Sequence, residues 1–393
     1  MNTHTLAVDT IQMVDLKQQY RRIKPAIDRA IQDCVDEAAF IKGSQVQQFE
    51  QALARHLQVE MVSSCANGTD ALQLAVMALG LKAGDEVIVP AYTYVATAEV
   101  LALLGMVPVL VDVDPHTFTI TAQAVQSAIT SKTKAVIPVH LFGQCADMED
   151  IVKLCQIKNI YVIEDNAQSL GASYTFSDGK MKSAGAMGHL GTTSFFPSKN
   201  LGCFGDGGAV YTDDPELGTK VRTIANHGQV VKYRHDMVGI NSRLDTIQAA
   251  VLLEKLKYLN DYKAARQQAA QWYDQALEGI YDIEIPQRAG YSTHVFNQYT
   301  LKVPAHKRDG LKAFLGSRHI PSMVYYPISL AKQKAFEGLS RPVGNLAVTE
   351  DLCHRVLSLP MHTELSETQV ERICEAIREY FESKKLPNML CSR

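Results

Sequence analysis

Ile160-Tyr161-Val162-Ile163-Glu164-Asp165-Asn166-Ala167-Gln168-Ser169 decides how this chain is read. An apolar run of strand length ends on two carboxylates, and in an open α/β sheet ligands bind beyond the carboxyl ends of the strands. Further on, Ser194-Phe195-Phe196-Pro197-Ser198-Lys199-Asn200 runs into the glycine-rich Gly202-Cys203-Phe204-Gly205-Asp206-Gly207-Gly208. Most lysines are solvated surface residues, and an acid at a strand end is often only a helix cap. The two segments argue otherwise when taken together.

Working outward, short apolar runs alternate with longer helical patterns over the first two-thirds of the chain. Strands are expected at 86–89, 107–113, 135–139, 160–165 and 193–196, with amphipathic helices at 71–79, 97–104 and 148–155 between several of them. Val/Ile-rich strands in β–α–β alternation predict an α/β fold, its mostly parallel sheet covered on both faces. A helical pattern runs from Leu244 through Leu259 to Ala276, and after Gln287-Arg288-Ala289-Gly290 the texture shortens. We expect a large domain over 1–255 and a smaller C-terminal α/β domain over 256–393, with a last helix at 368–381 and a frayed tail from 384.

Lys199, preceded by Phe195, Phe196 and Pro197, is expected to lose solvation, which lowers a lysine pKa and frees the amine. An amine of that kind, with Asp165 at a strand end, is what pyridoxal phosphate requires. The lysine forms a Schiff base with the cofactor aldehyde, and the carboxylate keeps the pyridine nitrogen protonated so that the ring accepts electrons. Gln168 lies close enough along the chain to reach the same ligand at its ring hydroxyl. Phosphate needs N–H donors and hydroxyls at a helix start. Ala66-Asn67-Gly68-Thr69 supplies these, and Ser194 adds a hydroxyl, although Gly68-Thr69 alone reads equally well as a turn and cap. Tyr94, in Tyr92-Thr93-Tyr94, is placed to stack on the cofactor face; the plainer reading is a core aromatic. The glycines of 202–208 lack the G-x-G-x-x-G spacing of a dinucleotide loop.

Composition narrows the field. A chain of 393 residues is long for one core. A net charge of -3 gives no general attraction to nucleic acid or anionic membrane. No stretch approaches the roughly 18 apolar residues of a membrane span, and residues 1–15 do not read as a secretory signal. The 8 cysteines are scattered without a C-x-x-C pair, which fits reduced cytoplasmic thiols and no metal site.

Five motifs in order carry a resemblance over nearly the whole length: Ala66-Asn67-Gly68-Thr69-Asp70-Ala71-Leu72, Tyr92-Thr93-Tyr94-Val95-Ala96-Thr97, Glu164-Asp165-Asn166-Ala167-Gln168, Ser194 to Lys199, and Asn241-Ser242-Arg243-Leu244. With them the chain resembles the sugar aminotransferases of the DegT/DnrJ/EryC1/StrS family, of fold type I, the aspartate-aminotransferase-like fold. The resemblance implies that Lys199 is the Schiff-base lysine and proton carrier, that Asp165 pairs with the pyridine nitrogen, and that Gly68, Thr69 and Ser194 hold the phosphate. It implies that Asn241 reaches the phosphate from a second subunit and that Arg243 lies near the substrate, hence a homodimer with shared active sites. It implies glutamate as donor and a keto-sugar nucleotide as acceptor. Family members acting as sugar dehydratases carry histidine at the lysine position, so Lys199 favours amino transfer. The runs 142–147 and 241–250 are similar to the subgroup that aminates UDP-2-acetamido-2-deoxy-3-oxo-glucuronate for surface polysaccharides such as lipopolysaccharide O-antigen. Tyr325 and Tyr326 fall in a loop near the substrate, Tyr325 standing where that subgroup usually has histidine. A 4-keto sugar, a dTDP- or GDP-linked sugar, and a catalytically idle regulatory protein that binds pyridoxal phosphate stay open as alternatives.

Overall fold

The computed structural model describes residues 10–383; the expected tail from 384 lies outside them, as do residues 1–9 of the N-terminal segment. Its main sheet has eight strands in the order Met61–Cys65, Gly208–Thr212, Leu190–Ser194, Tyr161–Asp165, Thr133–Val136, Glu86–Pro90, Val107–Val111, Arg341–Pro342. From Leu190–Ser194 to Arg341–Pro342 every pairing is parallel, while Gly208–Thr212 runs antiparallel to both of its neighbours.

Alternation along the strands explains why helices cover both faces. Ile88, Val109, Val136 and Val162 point one way, into a core shared with Val125 of Ala122–Ala128 and with Ile151 and Cys155 of Met148–Lys158. Val87, Leu110, Ala135 and Ile163, one residue out of phase, point the other way. They meet Leu74 of Gly68–Ala78, Leu101 of Ala96–Leu103 and Val221 of Pro215–Ile224. A strand apolar on both faces has to be sandwiched to keep its side chains from water, at roughly 25 cal/mol per Å² of apolar area buried.

Two expectations need correction. The long helix from 244 to 276 is two helices, Thr246–Leu256 and Leu259–Leu277, broken at Tyr258 (φ -106°, ψ 5°). Ala249 and Leu252 pack with Phe49 and Phe195 under the main sheet, whereas Ala269, Ala270 and Tyr273 pack with Leu301, Leu315, Ile373 and Ile377. One straight helix could not serve both cores. The strand expected at 193–196 is Leu190–Ser194, because after Ser194 the chain leaves its partner and turns, with the Phe196 N–H donating to Ser194 Oγ at 3.3 Å. The glycine-rich segment over 202–207 carries no helix or strand, and at Gly208 it enters the interior strand Gly208–Thr212, which is not among those expected from the sequence.

The C-terminal core gathers Leu259–Leu277, the paired strands Tyr299–Lys302 and Val356–Leu359, Ala305–Ser317 and Glu367–Ser383, with Ile11 packed into it. The intervening chain returns to the main sheet. The Leu330 N–H donates to Ala91 O at 3.0 Å, and Arg341–Pro342 pairs with Val107–Val111, held by an Arg341–Glu86 ion pair at 2.9 Å. Among the described residues no helix is long and apolar enough to cross a membrane, and no group of three or more His, Cys, Asp or Glu could hold a metal ion.

Candidate active site

Parallel strands deliver their carboxyl ends to one edge of the sheet, and this edge collects the residues singled out above. Cys65 and Ser194 both pair with Gly208, so the loop after Met61–Cys65 lies against the end of Leu190–Ser194. A Cβ on Gly208 would fall 2.3 Å from Asn67 O, and one on Gly68 would fall 2.6 Å from Ser194 Cβ. Two glycines are thus required for the backbones to meet. Asn67 caps helix Gly68–Ala78 by accepting from the Asp70 N–H at 2.8 Å, and the Ala66 N–H is already given to Ser242 Oγ at 3.0 Å. The Gly68 and Thr69 N–H groups stay available at the helix start beside Ser194 Oγ, an arrangement suited to an anion. Gly68→Ala is expected to weaken cofactor phosphate binding at least ~10-fold, by overpacking on the order of 1–3 kcal/mol; titrating the unloaded protein with cofactor measures it.

Asp165 ends Tyr161–Asp165 and is buried. Its Oδ2 accepts from Thr97 Oγ1 at 2.8 Å and its Oδ1 from the Ala167 N–H at 3.1 Å. These two bonds fix the plane of the carboxylate and leave each oxygen a lone pair for a ligand. Gln168 is also buried. Its Oε1 accepts from the Phe142 N–H at 2.7 Å, which sends its Nε2 to Tyr326 OH at 3.1 Å. Burial raises the Tyr326 phenol pKa, and the charge of the nearby Asp165 carboxylate adds to the shift. The Tyr326 ring lies 6.2 Å from that of Tyr94, which is 58% exposed. Tyr325 is half-buried and its carbonyl accepts from Tyr92 OH at 2.5 Å.

Lys199 is half-buried, its backbone N–H donating to Phe196 O at 2.8 Å. Its Nζ makes no hydrogen bond or ion pair among the described residues. Burial pushes the amine below the ordinary lysine range, and the nearby Asp165 carboxylate opposes that shift only in part. The apolar neighbours contribute unequally: Phe195 is buried edge-on against Phe49 at 5.3 Å, whereas Phe196 is 51% exposed. Phe195 before Lys199 and Leu201 after it therefore anchor the lysine loop in one core.

A second buried lysine stands behind this loop. Lys255 donates to Gly202 O at 2.5 Å, and burial lowers it to about 8. A lysine whose folded pKa lies below its unfolded value of ~10.4 destabilises the fold while charged and stops doing so as pH rises. The stability difference between Lys255→Met and the parent protein is expected to fall by about 3 kcal/mol between pH 7 and 10.5. Denaturant titrations at both pH values check it.

Asn241 and Arg243 are not brought to the same place within one chain. Asn241 is exposed and bridges to Asn226. Arg243 lines a cleft with Lys42, Glu50, Arg222 and Asn226 that none of Gly68, Ser194, Asp165 or Lys199 borders. Two contacts were missed from sequence: Thr97, though it lies inside a quoted motif, and the buried pairing of Glu164 with His140 at 2.8 Å. Nothing local marks either, since each joins a strand residue to a distant segment, Thr97 on helix Ala96–Leu103 and His140 in the turn after Thr133–Val136.

One edge of the sheet thus holds a lysine amine with no partner among the described residues, a carboxylate with lone pairs to spare and a glycine-lined anion cradle, and a family model matches the chain over residues 21–378. The chain belongs to the DegT/DnrJ/EryC1/StrS aminotransferase family. It is 46% identical to the UDP-2-acetamido-2-deoxy-3-oxo-D-glucuronate aminotransferase of Pseudomonas aeruginosa, over 93% of this chain and 99% of that one. It is 42% identical to a pleiotropic regulatory protein of Geobacillus stearothermophilus, over 94% and 98% respectively. The crystal structure of a DegT DnrJ EryC1 StrS aminotransferase from Brucella abortus superposes with a TM-score of 0.90 at 42% identity, covering 94% of this chain and 99% of that one. The fold is that of a type I pyridoxal-phosphate transferase, and this aminotransferase uses pyridoxal phosphate. The residues present fit the cofactor: an alanine at 68 would fill the cradle, and Lys199 Nζ has no other engagement.

Proposed function

We propose that this aminotransferase moves the amino group of glutamate to a keto-sugar nucleotide, UDP-2-acetamido-2-deoxy-3-oxo-glucuronate, in the cytoplasmic synthesis of a surface polysaccharide. The observation that carries the chemistry is the desolvated Lys199 amine beside Asp165; the choice of sugar is supported by the similarity to the Pseudomonas aeruginosa enzyme.

When bound, pyridoxal phosphate supplies a carbon that carries the amino group between substrates and a ring that takes up electrons. Gly68, Thr69 and Ser194 hold its phosphate. Asp165, oriented by Thr97 and Ala167, keeps a proton on the pyridine nitrogen, and Gln168 faces the ring hydroxyl from beside Tyr326. Tyr94 covers a ring face. Lys199 would take the proton from the glutamate α-carbon and later return one to the sugar carbon, a role that a lowered pKa suits near neutral pH. Tyr325, Tyr326 and Arg243 contact the sugar nucleotide.

The working unit in this reading is a homodimer with shared sites. Asn241 is exposed, and Arg243 lines a cleft that its own Lys199 does not border. The neighbouring hairpin of Gln229–Val231 and Arg234–His235 exposes Val230 at 70% and Tyr233 at 80%, with Val238 at 85% just beyond it. Apolar side chains this exposed mark a surface to be covered, and a second copy would bring Asn241 to a phosphate.

Incubating the protein with glutamate and UDP-, dTDP- and GDP-linked 3-keto and 4-keto sugars tests the proposal. It expects 2-oxoglutarate to appear with the UDP-linked 3-keto uronate. Preference for a 4-keto sugar would move the assignment within the family. Cofactor uptake without turnover of any sugar would favour a regulatory role like that named for the Geobacillus protein.

A further inference from the structure

Directly beneath the cofactor-facing carboxylate lies another that no step above uses. Successive strand residues point to opposite faces, so Glu164 turns away from the ligand side and is wholly buried. Its Oε2 accepts from the Gly185 N–H at 2.9 Å and its Oε1 from the Met187 and Gly188 N–H groups, both at 2.5 Å. Oε2 also meets His140 Nε2 at 2.8 Å. Because His140 Nδ1 accepts from the Ala146 N–H at 3.1 Å, the ring proton sits on Nε2 and is donated to Glu164. Neither side chain reaches solvent. Burying a carboxylate is costly unless its lone pairs are used, and here three backbone N–H groups and the imidazole use them.

The main chain of His140 shows what the pair acts on. Its N–H donates to Asp165 O at 3.0 Å, and its carbonyl accepts from Ser169 Oγ at 2.7 Å. Two residues on, Phe142 adopts φ 60°, and its N–H orients the Gln168 amide. One fixed imidazole thus sets a turn that grips the Asp165 main chain, the Ser169 hydroxyl and the Gln168 side chain.

We propose that His140 and Glu164 form a positioning pair that holds Asp165 and Gln168 in register with the pyridine ring. The proposal rests on the pyridoxal phosphate reading. Loosening the pair lets the Asp165 carboxylate drift from the pyridine nitrogen, which then carries less positive charge. A positive charge on the ring disfavours a second one on the nearby lysine–cofactor linkage. Its weakening therefore raises the pH at which the visible absorbance of that linkage titrates.

The test compares His140→Phe, His140→Asn and His140→Gln, with Glu164→Gln as a separate probe. Glutamine can still offer Glu164 a donor, whereas phenylalanine and asparagine do not reach it. Expected for His140→Phe are an upward shift of the absorbance midpoint, about 10-fold lower kcat or worse with little change in the KM for glutamate, and weaker cofactor retention; His140→Gln restores most of each. If His140→Phe does not fold, the asparagine and glutamine variants carry the same comparison. Variants that lower only the thermal midpoint, with absorbance titration and kcat unchanged, overturn the proposal and leave a purely structural pair. A parent protein lacking any visible band would overturn the cofactor reading itself, and this proposal with it.

Discussion

Lys199→Ala is expected to reduce amino transfer by at least ~10⁴-fold, the upper range for removing a positioned proton carrier, and to abolish the visible absorbance of lysine-bound cofactor. Both losses follow from one atom. Lys199 Nζ is the amine beside Asp165, it is desolvated, and no side chain competes for it. Free alanine methyl groups neither capture an aldehyde nor carry a proton, and exogenous amines would restore only part of the proton transfer. The lowered pKa adds a pH signature in the parent protein. The uncharged fraction of a lysine grows with pH, so cofactor capture by the unloaded protein should rise with pH and level off below ~10.4, where an ordinary lysine would still be losing its proton. Stopped-flow mixing of unloaded protein with cofactor across pH reads this directly. A capture rate still climbing above that point would mean an unperturbed amine.

Asp165→Asn separates binding from electron uptake. Asparagine is the same size, and its oxygen can still accept from Thr97 or from Ala167. It carries no charge, however, and cannot hold a proton on the pyridine nitrogen. Lys199 should therefore still take up cofactor while turnover falls by about 100- to 1000-fold, the usual range for losing one electrostatic stabiliser in a dry site. Thr97→Val should follow in the same direction with a smaller effect, since it removes one of two bonds orienting the carboxylate. Retention of full activity by Asp165→Asn, with cofactor bound, would remove Asp165 from its assigned role.

The sequence was most readable where chemistry and structure are both local. Strands such as Glu86–Pro90 and Tyr161–Asp165 sit between helices on both faces, so each carries an unbroken apolar run, Val87 to Val89 and Tyr161 to Ile163. Lys199 and Asp165 were visible because residue type, neighbours and strand position coincide in a few residues. Met61–Cys65 escaped notice because Ser63 and Ser64 interrupt its apolar run, and Gly208–Thr212 because glycines at its start suggested a loop. Gly208 is there for close approach to the backbone at Asn67, a demand set by a segment far away in the chain, while Gly207 makes room for Leu244 and Phe195. Arg341–Pro342 is too short to carry a pattern, and its place is held by the Arg341–Glu86 ion pair. The break at Tyr258 was hidden because both flanking helices have good periodicity and only the arrangement of two cores separates them. Thr97, His140 and the burial of Glu164 were illegible for the same reason: each matters through a partner that only folding brings near.

The most direct measurement is to reduce the cofactor-loaded protein with borohydride and locate the resulting pyridoxyl group by peptide mass spectrometry. The predicted result is a single modified residue, Lys199. A pyridoxyl group on Lys255, the other lysine with a burial-lowered amine, or on any other residue, or no modification at all, would contradict the assignment of Lys199 as the amine that holds the cofactor.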